Sequence, residues 1–153
     1  KYEANVASVA GKMDNRVIAA YQQLGFKLVV DPSVNYSGYF DARSRSITMK
    51  QIDDSVYHEL GHFLAFIAGN VDKTASFQSI FAAEKANVTA FNKAYVTQNA
   101  SEYFAESVKD YILNNASLKN TRPQTYAAVQ NALNQITDAQ IAKIQKIYGA
   151  FWN

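Results

Sequence analysis

A chain of 153 residues has room for one domain and can bury a working core without covalent staples. It contains no cysteine, which excludes a disulfide framework, a cysteine-ligated metal site and a thiol nucleophile. Fifteen Lys and Arg against thirteen Asp and Glu leave a net charge of +2, far short of the basic field of a nucleic-acid binder. No apolar run is long enough for a membrane-spanning helix. The first residues, Lys1-Tyr2-Glu3, carry no signal-peptide pattern, so any targeting segment is expected to have been removed or never present.

In chain order, apolar residues at Val6, Val9, Met13, Val17, Ala20, Tyr21 and Leu24 predict a helix over 4–24, with Gly11 as a possible interruption and Gly25 as its end. The β-branched run 26–30 predicts a strand, stopped by Asp31-Pro32-Ser33. A hairpin follows, with strands at 37–41 and 45–49 around a polar turn at 42–44. From Ile52 the pattern becomes helical over 52–68, with Asp53 and Asp54 at its positive end and Gly69-Asn70 closing it. Further helices are predicted at 74–85, 100–114, 121–135 and 138–148. Thr121 with Pro123 marks one start, and Thr137 or Asp138 caps another. The stretch 86–99 reads as irregular. The sum is an α+β chain read as a single domain over 1–153, with a helix and small sheet over 1–51 and a helical half over 52–153.

Two histidines carry the chemical argument. His58-Glu59-Leu60-Gly61-His62 is an H-E-x-x-H sequence on a predicted helix, and a four-residue spacing puts both imidazoles on one face, one turn apart. Such a pair can share a zinc ion, which brings the pKa of a bound water to about 7, within reach of a neighbouring carboxylate such as Glu59. A catalytic zinc takes three protein ligands, and with both histidines used and no cysteine the third must be a carboxylate. The downstream candidates are Asp72, Glu84, Glu102, Glu106, Asp110 and Asp138. Asp72 follows the helix end too closely to turn back with ease. Glu102, Glu106 and Asp110 form a row on one face of a second helix. Either Glu102 or Glu106 can serve as the ligand, with its partner one turn away free to accept the outer N–H of a ligating histidine. The charge that develops on an attacked carbonyl needs a donor, and Lys93 and Tyr95 in the irregular stretch can supply one. Tyr57, Phe63, Leu64, Phe66 and Ile67 read as packing residues, and Arg43, Arg45, Lys109 and Lys119 as solvated.

These residues together resemble a known family. His-Glu-Leu-Gly-His with Ser101–Ser107 (Ser-Glu-Tyr-Phe-Ala-Glu-Ser) downstream, joined by Ala75–Phe81, Tyr95 and Pro123–Tyr126, is similar to the anthrax lethal factor family of zinc metallopeptidases. Within that family the likeness is nearest to the small secreted Pro-Pro endopeptidases. It spans about 45–133, and the first forty residues agree only in their helix–strand order. The resemblance implies a zincin-like metallopeptidase domain with zinc on His58, His62 and Glu102, and Glu59 as general base. It also implies Tyr95 as the transition-state donor, Glu106 as the outer carboxylate, and an extended peptide held along the strand 37–41. The region 31–50 is shorter than in the Pro-Pro enzymes, and the single tryptophan is Trp152, so no counterpart of their proline pocket is visible.

The expected activity is therefore zinc-dependent hydrolysis of extended protein or peptide segments, proline-containing ones included, by a secreted bacterial monomer with no nucleic-acid partner and no membrane span. The alternatives are a non-catalytic zincin-like toxin domain that docks a protein partner, and a zinc hydrolase with a non-peptide substrate.

Overall fold

A computed structural model describes residues 1–152. Four short strands, β1 (Tyr2–Ala4), β2 (Lys27–Val30), β3 (Gly38–Asp41) and β4 (Ser46–Met49), form one sheet in the order β1-β2-β4-β3. β1 and β2 are antiparallel, β2 and β4 parallel, and β4 and β3 antiparallel, so β3 is an edge. Alternation decides which face goes inward: Leu28 and Val30 on β2 and Ile47 and Met49 on β4 are buried.

The ladder also fixes which main-chain groups β3 leaves free. Lys50 N–H donates to the Ser37 carbonyl, while the Met49 and Arg45 carbonyls accept from Asp31 and Lys27 on the other side of β4. Successive residues of an antiparallel strand alternate in direction. Ser37, Tyr39 and Asp41 thus address β4, and the N–H and C=O groups of Gly38 and Phe40 face away from the sheet.

The helix predicted over 4–24 is two helices, α1 (Val6–Val9) and α2 (Asn15–Gln23). Asn5 and Asp14 each cap a fresh start, with side chains accepting from Ser8 N–H and Arg16 N–H, and two good caps override one continuous apolar stripe. Tyr57 is core as expected, and its hydroxyl accepts the Lys12 N–H in the break between them. Residues 2–4, which show no strand pattern, become β1 by pairing with β2.

Helix α3 (Ser55–Ile67) is the centre of the fold. It is apolar almost all round, with Val56, Leu60, Phe63, Leu64 and Ile67 fully enclosed, as a helix covered on several sides must be. One side meets the sheet through Phe63, which packs edge-on against Phe40 of β3 at 6.2 Å between ring centres, and against Tyr21 of α2 and Phe26 just before β2 at 4.9 Å. The opposite side meets α6 (Ala100–Leu113), whose first turn is capped by the Asn99 side chain on Glu102 N–H at 2.8 Å. Gly61 makes that meeting possible: a Cβ there would lie 2.6 Å from the Ala105 carbonyl oxygen and 2.8 Å from its Cα.

The remaining helices are α4 (Ala75–Glu84), α5 (Lys93–Val96), α7 (Asn115–Thr121), α8 (Pro123–Asn134) and α9 (Asp138–Trp152). Helix α5 falls inside the stretch expected to be irregular. Helix α7 has no apolar stripe to announce it, since Leu118 is its one buried residue. Thr121 therefore ends α7, and α8 begins with Pro123 in its first turn. The buried Glu84 carboxylate caps α8 from outside, accepting the Gln124 and Thr125 N–H groups at 3.1 and 2.8 Å. Helix α9 runs four residues further than its pattern indicated, because Trp152 is anchored: its indole N–H donates to the Ala42 carbonyl at 2.9 Å and its ring packs on Phe26 and Phe66. Arg45, read as solvated, is half-buried, bonded to the Leu24 carbonyl and stacked on Trp152. No described helix is long and apolar enough to cross a membrane.

Candidate metal centre

The crossing of α3 and α6 brings three ligand-type atoms to one point. His58 and His62 share one face of α3, with ring centres 5.1 Å apart. Both Nε2 atoms approach a single oxygen of Glu102, in the first turn of α6, at 2.9 and 3.2 Å. For bonds of about 2.0–2.1 Å and tetrahedral angles, ligand atoms around zinc stand roughly 3.3–3.5 Å apart. The two histidine–Glu102 separations are a little shorter, as expected where hydrogen bonds hold them, all three ligand atoms lie within 4.8 Å of one another, and His58, His62 and Glu102 could bind a metal ion. Among the described residues this is the one cluster of three or more histidine or carboxylate groups with that geometry.

One turn along α6, Glu106 accepts from His58 Nδ1 at 2.9 Å. Caught between two carboxylates, His58 donates from both ring nitrogens. Burial alone would lower its pKa, but the bonds to Glu102 and Glu106 outweigh burial and push it up to about 9. Burial likewise works to raise both carboxyls, and the histidines overcome it: Glu102 lies far below, and Glu106 below, the usual carboxylate range.

Glu59 points from α3 toward the edge strand and is 7% exposed. Burial pushes its carboxyl up, opposed by the two histidines and the Phe40 N–H. Gly38 gives it room, since a Cβ at that position would stand 2.8 Å from Glu59 Cγ. Tyr95, on α5, faces the cluster from the other side, its ring centre 6.4 Å from that of His58. It is 54% exposed, and partial burial together with the negative field of Glu102 and Glu59 raises its hydroxyl pKa.

Two cavities flank this point and share Gly38, Glu59 and Tyr95. One, of about 340 Å³, lies on the His62 side against Phe40, Ala42, Phe66 and Asp72. The other, of about 470 Å³, lies on the His58 side against Tyr36, Asn92, Glu106 and Lys109. Together they make a cleft along the free edge of β3.

Other candidates are engaged elsewhere. Lys93 turns back onto the Ala86 carbonyl at 2.7 Å, Arg43 lies over Phe151 and Arg45 over Trp152. Glu84 caps α8, Asp110 pairs with Arg122, and Asp138 is exposed at the start of α9. Asp72 differs from its expected place. Gly69 and Asn70 both adopt left-handed backbone, reverse the chain at once, and return Asp72 to the wall of the His62 cavity. The part of Gly38 was missed: nothing in a lone glycine in a predicted strand points to the side chain it must clear.

The profile of the family described as anthrax toxin lethal factor, N- and C-terminal domain, matches residues 9–132, and the chain belongs to that family. The match begins well before the 45–133 region where the resemblance of individual residues is strongest. A comparison with curated proteins gives no significant match.

Proposed function

We propose that this protein is a zinc metalloendopeptidase of zincin-like fold, acting as one catalytic domain in the extracellular space. The observation that carries the reading is the convergence of His58, His62 and Glu102 beside a buried Glu59, in a cleft bordered by an unpaired strand edge. Zinc held there would act as a Lewis acid, polarising the attacked carbonyl and the attacking water.

The chain's own residues supply the rest. Glu59 takes the proton from the attacking water and delivers it to the leaving amine, from a buried position beside the two histidines. The Tyr95 hydroxyl, exposed to the cleft, donates to the oxygen on which charge develops. Glu106 fixes the His58 ring by accepting from Nδ1. The outward groups of Gly38 and the Phe40 carbonyl pair with an extended substrate, as a sheet edge pairs with an added strand, while the Phe40 N–H is directed at Glu59. Proline-containing segments are included among the substrates to try because of the resemblance to Pro-Pro endopeptidases, alongside segments without proline, since no counterpart of the proline pocket is visible in the sequence.

Metal analysis combined with digestion of an unfolded protein tests this reading. One zinc per chain is expected, lost in His58→Ala and Glu102→Ala, with cleavage that a chelator stops and zinc restores. Stoichiometric zinc with no cleavage of any peptide would favour a non-catalytic domain that docks a protein partner.

A further inference from the structure

Asp72 lies on a 3-10 turn, Val71–Lys73, that packs against α3, α4 and α6. It is 3% exposed, and its Oδ1 is the one buried side-chain nitrogen or oxygen without a hydrogen-bond partner among the described residues. Its ion pair with Lys73 is long, 4.0 Å to Oδ2, and the lysine side chain is 72% exposed and solvated. A buried carboxylate oxygen without a donor is unfavourable, so a native chain that keeps one invites the question of what donates to it.

The cavity that Asp72 lines is also lined by His62 and Glu102. His62 faces Glu102 through Nε2, and no hydrogen bond is made to its Nδ1 among the described residues. A histidine that ligates through Nε2 carries its proton on Nδ1 and almost always donates it to a carboxylate, a carbonyl or a water, which fixes the ring and raises its basicity. His58 meets this need through Glu106. His62 has a donor without an acceptor, and Asp72, in the same cavity, has an acceptor without a donor.

We propose that Asp72 is the positioning residue for His62, its carboxylate accepting the Nδ1–H once the ring settles with Nε2 committed to the metal. The inference rests on the zinc reading of the site. It gives each histidine its own acidic partner: Glu106 from the facing helix for His58, and Asp72 from the turn beyond α3 for His62.

The test compares wild type, Asp72→Asn and Glu106→Gln in two measurements: zinc affinity by competition with a chromophoric chelator, and the melting temperature of the metal-free protein. Zinc binding about 10–100-fold weaker is expected in both variants. Metal-free Asp72→Asn should melt at or above wild type, because a carboxylate desolvated on one oxygen gives way to a neutral amide of the same shape. Unchanged zinc affinity in Asp72→Asn would overturn the proposal. Weaker zinc binding with an equally lowered metal-free melting temperature would overturn it too, since Asp72 would then serve the fold. Failure of the zinc reading itself looks different, because wild type and both variants would then all fail to hold zinc.

Discussion

At the scale of single residues, Tyr95 separates chemistry from packing most cleanly. Its ring is exposed and its hydroxyl interacts with the Glu102 carboxylate of the site rather than with the core, so Tyr95→Phe should leave the melting temperature close to wild type. If the hydroxyl serves the developing oxyanion, kcat falls by about 10²–10³-fold while KM moves little. Steady-state kinetics on one cleaved peptide decides this, and an unchanged kcat would remove Tyr95 from the mechanism. Gly38 gives a second case. The methyl of Gly38→Ala would stand 2.8 Å from Glu59 Cγ, and the flexible glutamate must give way rather than the strand. Displacing a catalytic group by about 1 Å can cost roughly 10²-fold. The expected outcome is a kcat loss of that order with zinc content intact, checked by kinetics and metal analysis on the same preparation.

At the scale of elements, α3 and α6 form the site together, and Gly61 is where they touch. Gly61→Ala drives a methyl into the Ala105 backbone, which cannot rotate away as a side chain can. Overpacking of this kind costs about 1–3 kcal/mol, and the forced separation also pulls Glu102 from the histidines, so thermal stability and zinc affinity should fall together. Calorimetry and chelator competition check both. The elements differ in how legible they were. Helix α3 and the β3–β4 hairpin stand out in the sequence, because long periodic or alternating apolar patterns report their own burial. Helix α7 and strand β1 do not, because α7 buries Leu118 alone and β1 exists through its partner β2. The site shows the same division. His58, Glu59 and His62 are visible because their spacing is local to one helix. The choice between Glu102 and Glu106 turns on how two helices cross, and Asp72 on two left-handed residues whose reversal no periodicity encodes.

At the scale of the whole molecule, a candidate metal site shared by two elements would couple ligand binding to folding. Saturating zinc at about 100 times its dissociation constant would add roughly 2.7 kcal/mol, or about 5–10 °C in melting temperature for a chain of this size. A scan with zinc and with chelator should show that difference in wild type and not in His62→Ala. The cleft has a second global support in α9, whose Trp152 holds the Ala42 carbonyl where strand β3 ends and packs behind Phe66, a residue lining the His62 cavity. The far end of the chain thus helps shape the edge along which a peptide would lie.

In the proposed mechanism Glu59, beside zinc in this cleft, drives hydrolysis of an extended peptide. Mass spectrometry of a peptide library incubated with the zinc-loaded wild type and with zinc-loaded Glu59→Gln addresses it most directly. New termini at defined bonds are expected with wild type, and about 10²–10⁴-fold less product from a Glu59→Gln protein that keeps its fold and its zinc. Equal product from the two proteins, or none from either while zinc is bound, would contradict it.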